Sequence, residues 1–321
     1  MDDASRELVT VFGGSGFVGT QFIQLLAHRG YRIRAAVRRP DLAGHLRPLG
    51  DVGQVVPIQA NVRDADSVRR AVAGAAVVVN LVGIPFERGR QRLETVHVAG
   101  ARHVAEAAAA AGASRLVHMS VLGADPNSPS AVLRSRAQGE AAVFAAFAGA
   151  VVLRPSVIFG PGDFYFNLMG GLARALPLLP LIGASTKMQP VYVRDVAEAL
   201  VIAAEGGVKG GRVYELGGPE VLTQRELVGR ILHYTGRNNT LMPVGPGSAR
   251  LLAAPMGLLP KPLLTADQVR QLQIDNVVSE PARRDRRTLA AFEVTPTPMD
   301  AVLPSYLWRF RKNGQFDRVP A

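Results

Sequence analysis

The chain has 321 residues, 48% hydrophobic and 20% charged, a composition that fits a folded globular protein with room for one large or two modest domains. It has no cysteine, which excludes disulfides, Cys-ligated zinc, iron–sulfur clusters and thiol nucleophiles, and its six histidines show no metal-ligand spacing, so no metal is expected. The net charge of +11 suits an acidic partner, but the basic residues are scattered, only four of the 37 are lysine, and aromatics are sparse at 6%, so nucleic acid is not expected.

Residues 1–7 are short and acidic, without the charged start and apolar core of a signal peptide. From residue 7 to about 155, short valine-rich runs alternate with helical patterns. Strands are predicted at 8–12, 32–37, 55–62, 76–81, 116–120 and 151–153, and helices at 16–29, 64–73, 92–111 and 130–148. That alternation predicts an α/β fold with a doubly wound parallel sheet. After Pro155 proline and glycine become frequent, and helices are predicted at 193–204, 223–235 and 266–273. The apolar stretch 164–182 is broken by Gly170, Gly171, Arg174, Pro177 and Pro180, which argues against a membrane span of about 20 apolar residues. It and 251–264 are candidate partner or lipid contacts, or ordinary core. Arg283-Arg284-Asp285-Arg286-Arg287 reads as a docking patch or a solvated charge run, and the basic, aromatic tail 306–321 as a frayed end.

The segment Val11-Phe12-Gly13-Gly14-Ser15-Gly16-Phe17-Val18-Gly19 places Gly13, Gly16 and Gly19 between a predicted strand and a predicted helix. Such glycines permit a tight turn and let the backbone approach a pyrophosphate, while the helix start offers free N–H groups and the positive end of its dipole. A dinucleotide is therefore expected in a Rossmann-type domain over 1–160, with core elements also drawn from 190–218. A smaller, interleaved C-terminal domain for substrate or partner is expected over 161–321. An NAD site usually carries an acid about 20 residues past the loop. Here that stretch reads Val37-Arg38-Arg39-Pro40, and two guanidiniums suit the 2′-phosphate of NADP(H) better than the free hydroxyl of NAD(H). Both arginines also read as solvated loop residues.

Together, Gly13–Gly19, Leu81-Val82-Gly83, Ser120, Leu153-Arg154-Pro155 with Phe159-Gly160-Pro161-Gly162-Asp163, and 192–197 resemble the extended short-chain dehydrogenase/reductases. The run from Leu264-Thr265-Ala266-Asp267-Gln268 through Asp275-Asn276-Val277-Val278-Ser279 resembles an atypical branch, that of the NAD(P)H-binding accessory subunit of respiratory complex I and its bacterial relatives. The likeness covers roughly residues 7 to 300. It extends the expected cofactor footprint to Ser15, Phe17, Asn61, Val62, Leu81, Val82, Gly83, Ser120, Arg136, Pro155 and Val157. Catalytic members use a Ser, a Tyr-x-x-x-Lys pair on one helix face and often an Asn, the Tyr moving the proton that accompanies the hydride.

In this chain the Ala137-Gln138-Gly139-Glu140 register puts Val132 at the tyrosine position and Arg136 at the lysine position. His97 stands where asparagine is expected, and Ser120 alone survives. No lysine has a tyrosine four residues earlier; those positions are Gly183, Glu205, Gly257 and Trp308. The resemblance thus implies a non-catalytic NADP(H)-binding accessory subunit. Its partners would be complex I subunits near the quinone-entry region, with contact to anionic lipid. It would lie on the cytoplasmic or matrix-equivalent side of the respiratory membrane. Two other readings stand beside it: a reductase or epimerase-type enzyme on an apolar or quinone-related substrate, its acid drawn from His97, Tyr165 or Tyr192, and an NADPH-sensing regulator.

Overall fold

The computed structural model describes residues 7–256, 262 and 264–317. In chain order the first strands and helices are β1 (Leu8–Phe12), α1 (Phe17–His28), β2 (Arg32–Val37), β3 (Val55–Gln59), α2 (Ala65–Val72), β4 (Val77–Asn80), α3 (Ala99–Ala110), β5 (Arg115–Met119), α4 (Ala131–Ala146) and β6 (Val151–Pro155). Then follow β7 (Ile158–Phe159), α5 (Tyr165–Ala175), β8 (Leu178–Ile182), β9 (Lys187–Met188), β10 (Val191–Tyr192), α6 (Val193–Glu205) and β11 (Arg212–Leu216). The last used below are β12 (Leu222–Thr223), α7 (Gln224–Thr235), β13 (Thr240–Val244), α8 (Pro246–Met256) and α9 (Ala266–Gln271).

Two compact units result. The first comprises Met1–Pro155, Val193–Leu216 and Ser279–Thr295, and the second Ser156–Tyr192, Gly217–Val278 and Pro296–Ala321. The first is built on a seven-stranded sheet in the order β11-β6-β5-β4-β1-β2-β3, every pair parallel. Strands covered on both faces need no alternation, which is why β4 reads Val77-Val78-Val79-Asn80 with all four residues buried. Burying each of those valines contributes about 1.5–3 kcal/mol. The strand order reverses between β1 and β4, and at such a switch point the carboxyl ends of the strands leave a crevice for a ligand.

The helices start where their caps put them. Asp64 caps α2 by accepting from the N–H groups of Asp66 (3.0 Å) and Ser67 (3.2 Å), and the Ser130 hydroxyl accepts from Leu133 N–H (3.3 Å) to open α4. Helix α1 differs: its N-cap is Gly16, with no capping side chain and no acid in the first turn. Its first N–H groups and dipole end are left to whatever lies in front of them.

The second unit has its own core around Phe159, Phe166, Leu179, Leu227 and Leu303. The stretch 164–182 forms α5 and β8, and β8 pairs in parallel with β13. It is core and surface at once, with Phe166, Leu179 and Leu181 buried and Phe164 and Leu178 exposed. The tail is not frayed up to residue 317: Tyr306 and Leu307 are buried, and Arg311 donates to the carbonyls of Tyr234 (2.9 Å) and Asp317 (3.0 Å). Among the described residues no helix is long and apolar enough to cross a membrane.

Candidate functional site

Because the strands of the first unit are all parallel, their carboxyl ends fall on one edge and bring together residues far apart in sequence. Gly13 follows β1, Arg38 follows β2, Leu81 follows β4, Ser120 follows β5, and Pro155 closes β6. Gly13 has φ +80°, and a Cβ there would lie 3.1 Å from the Leu81 carbonyl carbon and 3.2 Å from Val82 N. A Cβ on Gly19 would lie 2.5 and 2.6 Å from the carbonyl oxygens of Gly13 and Gly14. The glycines thus let strand, turn and helix meet backbone to backbone, so the start of α1 stays open.

Of the two loop arginines, Arg39 is paired with Asp41, its Nη2 donating at 2.7 Å and its Nε at 3.1 Å. Arg38 is exposed and makes no ion pair among the described residues. The two guanidiniums are therefore not equivalent, and Arg38 is the free one. Asn61 N–H donates to Ser67 Oγ (3.0 Å), and its side-chain Oδ1 accepts from Arg63 N–H (3.2 Å). Val62 is buried against Gly100, and its carbonyl is bonded by His103 (2.9 Å), so this side chain is packing. Val157 belongs to the second unit, where its N–H donates to Asn276 Oδ1 (3.0 Å). Asn276 Oδ1 also accepts from Ser156 Oγ (2.6 Å), so the 275–279 motif holds that strand start in place.

On α4, Arg136 lies one turn beyond Val132, both buried. Its Nη1 donates to the carbonyls of Met119 (3.2 Å) and Val82 (3.4 Å). The guanidinium packs on Gly83 so closely that a Cβ there would overlap it. Burial pushes the Arg136 pKa down to about 10, against the pull of Glu140. Its Nε and the Ser120 hydroxyl are buried without a hydrogen-bond partner. Two orphaned polar atoms at the carboxyl edge are what a bound ribose-nicotinamide end would satisfy.

Neither ring nitrogen of His97 is free for a ligand. Its Nε2 accepts from Ile84 N–H (3.0 Å), and its Nδ1–H meets Ser135 Oγ (2.8 Å), which itself donates to the Val132 carbonyl (2.8 Å). Burial, with the charges of Arg136 and His118 adding to it, pushes its pKa down to about 2. Buried Asn80, unmarked by any sequence motif, donates to His118 Nδ1 (3.2 Å) and accepts from Val82 N–H (3.1 Å). His97 and Asn80 thus position the 81–84 turn. The only sequence signal for Asn80 is that a polar residue ends a run of valines. Gly139 matters for the same reason, since a Cβ there would strike the His97 carbonyl.

In the second unit, burial raises the Tyr165 pKa well above the usual range, so it does not ionise, and half-buried Tyr192 packs on Phe159 at 5.6 Å. Half the charge of the basic patch is neutralised locally: Arg283 pairs with Glu280 (3.2 Å), and Arg284 (3.4 Å) and Arg287 (3.3 Å) share Asp285. Arg287 also donates to the Val213 carbonyl at 2.8 Å, which leaves Arg286 as the one of the four without an ion pair among the described residues.

The sheet, the glycine cradle and the carboxyl-edge residues define a Rossmann-type fold of the kind that binds nicotinamide dinucleotides. A family profile described as NAD(P)H-binding matches residues 13–156. The backbone resembles an Escherichia coli NADPH-dependent quinone oxidoreductase solved with NADPH, with a TM-score of 0.72 at 18% identity over 93% of this chain and 98% of that one. In sequence it is 34% identical to the mitochondrial NADH dehydrogenase [ubiquinone] 1 alpha subcomplex subunit 9 of Arabidopsis thaliana, over 96% of this chain and 79% of the relative. The Mus musculus protein of that name is likewise 34% identical, over 96% of this chain and 81% of the relative. The chain belongs to this alpha subcomplex subunit 9 family.

Proposed function

We propose that the protein is a non-catalytic accessory subunit of respiratory complex I that holds NADP(H) as a structural cofactor. One observation carries the reading: the nucleotide cradle is complete, while Val132 occupies the place of the proton-transferring tyrosine. Bound nicotinamide supplies hydride-transfer chemistry, but valine has no proton to give, and His97 is held neutral with both nitrogens engaged. Loss of a general acid typically costs about 10²–10⁴ in rate.

The open start of α1 binds the pyrophosphate, and the unpaired Arg38 selects the 2′-phosphate of NADP(H) over the hydroxyl of NAD(H). Ser120 Oγ and Arg136 Nε take the ribose-nicotinamide end. The names of the relatives support partners among complex I subunits; the proposal adds a place near the quinone-entry region, peripheral on the cytoplasmic or matrix-equivalent side of the membrane. A ligand that binds only the folded state stabilises it, by about 2.7 kcal/mol at 100 times its dissociation constant.

The test is native purification from respiratory membranes, with bound nucleotide and co-purifying proteins identified from one preparation. Stoichiometric NADPH that stays reduced, together with complex I subunits, is the expected result. A protein free of complex I whose NADPH is oxidised by added carbonyl or quinone compounds would overturn the proposal in favour of a reductase.

A further inference from the structure

The second unit contains a cavity of about 550 Å³ bounded by α5, β8 and the segment around α9. Its volume lies within the range of about 300–1,000 Å³ usual for small-molecule sites. Leu168 and Leu172 of α5, Ile182 of β8 and Leu272 form its walls, and no charged side chain lines it among the described residues. Phe164 and Leu176 belong to the lining and are also exposed, at 65% and 40%, so the mouth is as apolar as the interior. Large apolar side chains held in water at the rim of an apolar cavity mark a binding site rather than unfilled core.

Two polar groups interrupt the apolar lining. The Tyr165 hydroxyl and the Gln224 carbonyl oxygen are both buried and neither meets a partner at hydrogen-bonding geometry, although the Gln224 side chain lies near enough to draw the Tyr165 pKa part of the way back down against burial. Gln224 is only 3% exposed. The other glutamines of the lining are engaged elsewhere: Gln268 Oε1 accepts from Thr265 N–H (2.8 Å), and Gln271 donates to Asp267 (3.1 Å). Leaving a donor and an acceptor buried and unmet is costly, so the pair points to a ligand.

We propose that this cavity binds the chain of a neutral long-chain lipid alcohol, its hydroxyl accepting from Tyr165 O–H and donating to Gln224 Oε1. A single hydroxyl satisfies both orphaned groups, whereas an ester or ketone can only accept. A carboxylate or phosphate would be buried without a counter-charge. The inference concerns the second unit alone and does not depend on the nucleotide reading of the first.

The test titrates the full chain with three fluorescent probes sharing one polyene chain: parinaryl alcohol, parinaric acid methyl ester and parinaric acid at alkaline pH. Saturable binding of the alcohol is expected, with the ester about three- to tenfold weaker and the ionised acid weaker still. Tyr165→Phe combined with Gln224→Leu should erase the preference for alcohol over ester while leaving chain binding. Leu168→Trp, which fills the cavity, should abolish alcohol binding while every urea-unfolding transition of the parent chain is retained, which shows that the second unit is still folded. Competition by hexadecanol and by farnesol distinguishes a straight chain from an isoprenoid source. The proposal is overturned if the alcohol fails to saturate, if Leu168→Trp leaves its binding unchanged, or if the ionised acid binds as well as the alcohol.

Discussion

On the proposed reading, Val132, Arg136 and His97 separate nucleotide binding from proton transfer. His97 exchanges reactivity for position, using one nitrogen to hold the 81–84 turn and the other to lock α4 through Ser135. With His118, pushed down to about 3 by burial and by the charge of Arg136, it forms a pair kept neutral in the fold. This sets the sign of the pH dependence. An unfolded histidine titrates near 6.5, so below that pH the unfolded chain binds two protons that the folded chain refuses, and stability present above pH 6.5 is lost as pH falls. Each histidine contributes about 1.4 kcal/mol per pH unit below about pH 6.5 and little above it, so the pair should cost about 3 kcal/mol between about pH 7.5 and 5.5. Urea unfolding at both pH values measures this. His97→Gln, which keeps an acceptor for Ile84 and a donor for Ser135 without titrating, should roughly halve the slope. An unchanged slope would show that His97 is not held neutral.

At the scale of elements, the first unit was legible because each signal was local. Valine runs gave the strands, and glycines in a strand–turn–helix context gave the cradle. The helix expected over 92–111 forms, but with a π-turn at Glu94–Val98 inside it that brings His97 to the 81–84 turn, a device the helical pattern alone did not show. The β8–β13 pairing was invisible because both strands are short and contain proline. The Phe159-Gly160-Pro161-Gly162-Asp163 motif was legible only as a family mark, and its physical role is a cap. Asp163 accepts from the N–H groups of Phe166 (2.8 Å), Asn167 (3.2 Å) and Gly160 (3.2 Å), and from the Tyr306 hydroxyl at 2.6 Å. Burial raises its pKa against the pull of those bonds. Asp163→Ala should cost about 3–5 kcal/mol and Tyr306→Phe about 1–3, because each leaves buried groups unmet. Their double-mutant coupling, read from urea midpoints, should fall within about 0.5–3 kcal/mol. Additive effects would mean that the tail does not brace the start of α5.

At the scale of the molecule, the question is whether the nucleotide is cargo or part of the scaffold. A structural ligand must be missed when it is gone, and Gly19 offers a way to remove it without touching the surface. Gly19→Ala drives a Cβ into the carbonyl oxygens of Gly13 and Gly14, backbone atoms that cannot step aside, and so should close the start of α1. Gly229→Ala is the matched control: that glycine lies inside α7, a Cβ there meets nothing within 4 Å, and the change should gain up to about 1 kcal/mol. If NADP(H) holds the first unit in its working form, Gly19→Ala should lose nucleotide binding and no longer melt higher when nucleotide is added. It should also fall away from complex I when expressed in place of the native chain, while Gly229→Ala assembles normally. If Gly19→Ala retains every urea-unfolding transition of the parent chain, both units are folded, and loss of assembly would then trace to the cradle. A Gly19→Ala chain that lacks nucleotide yet assembles fully would instead make the cofactor a passenger, with docking determined by surfaces that the nucleotide does not shape.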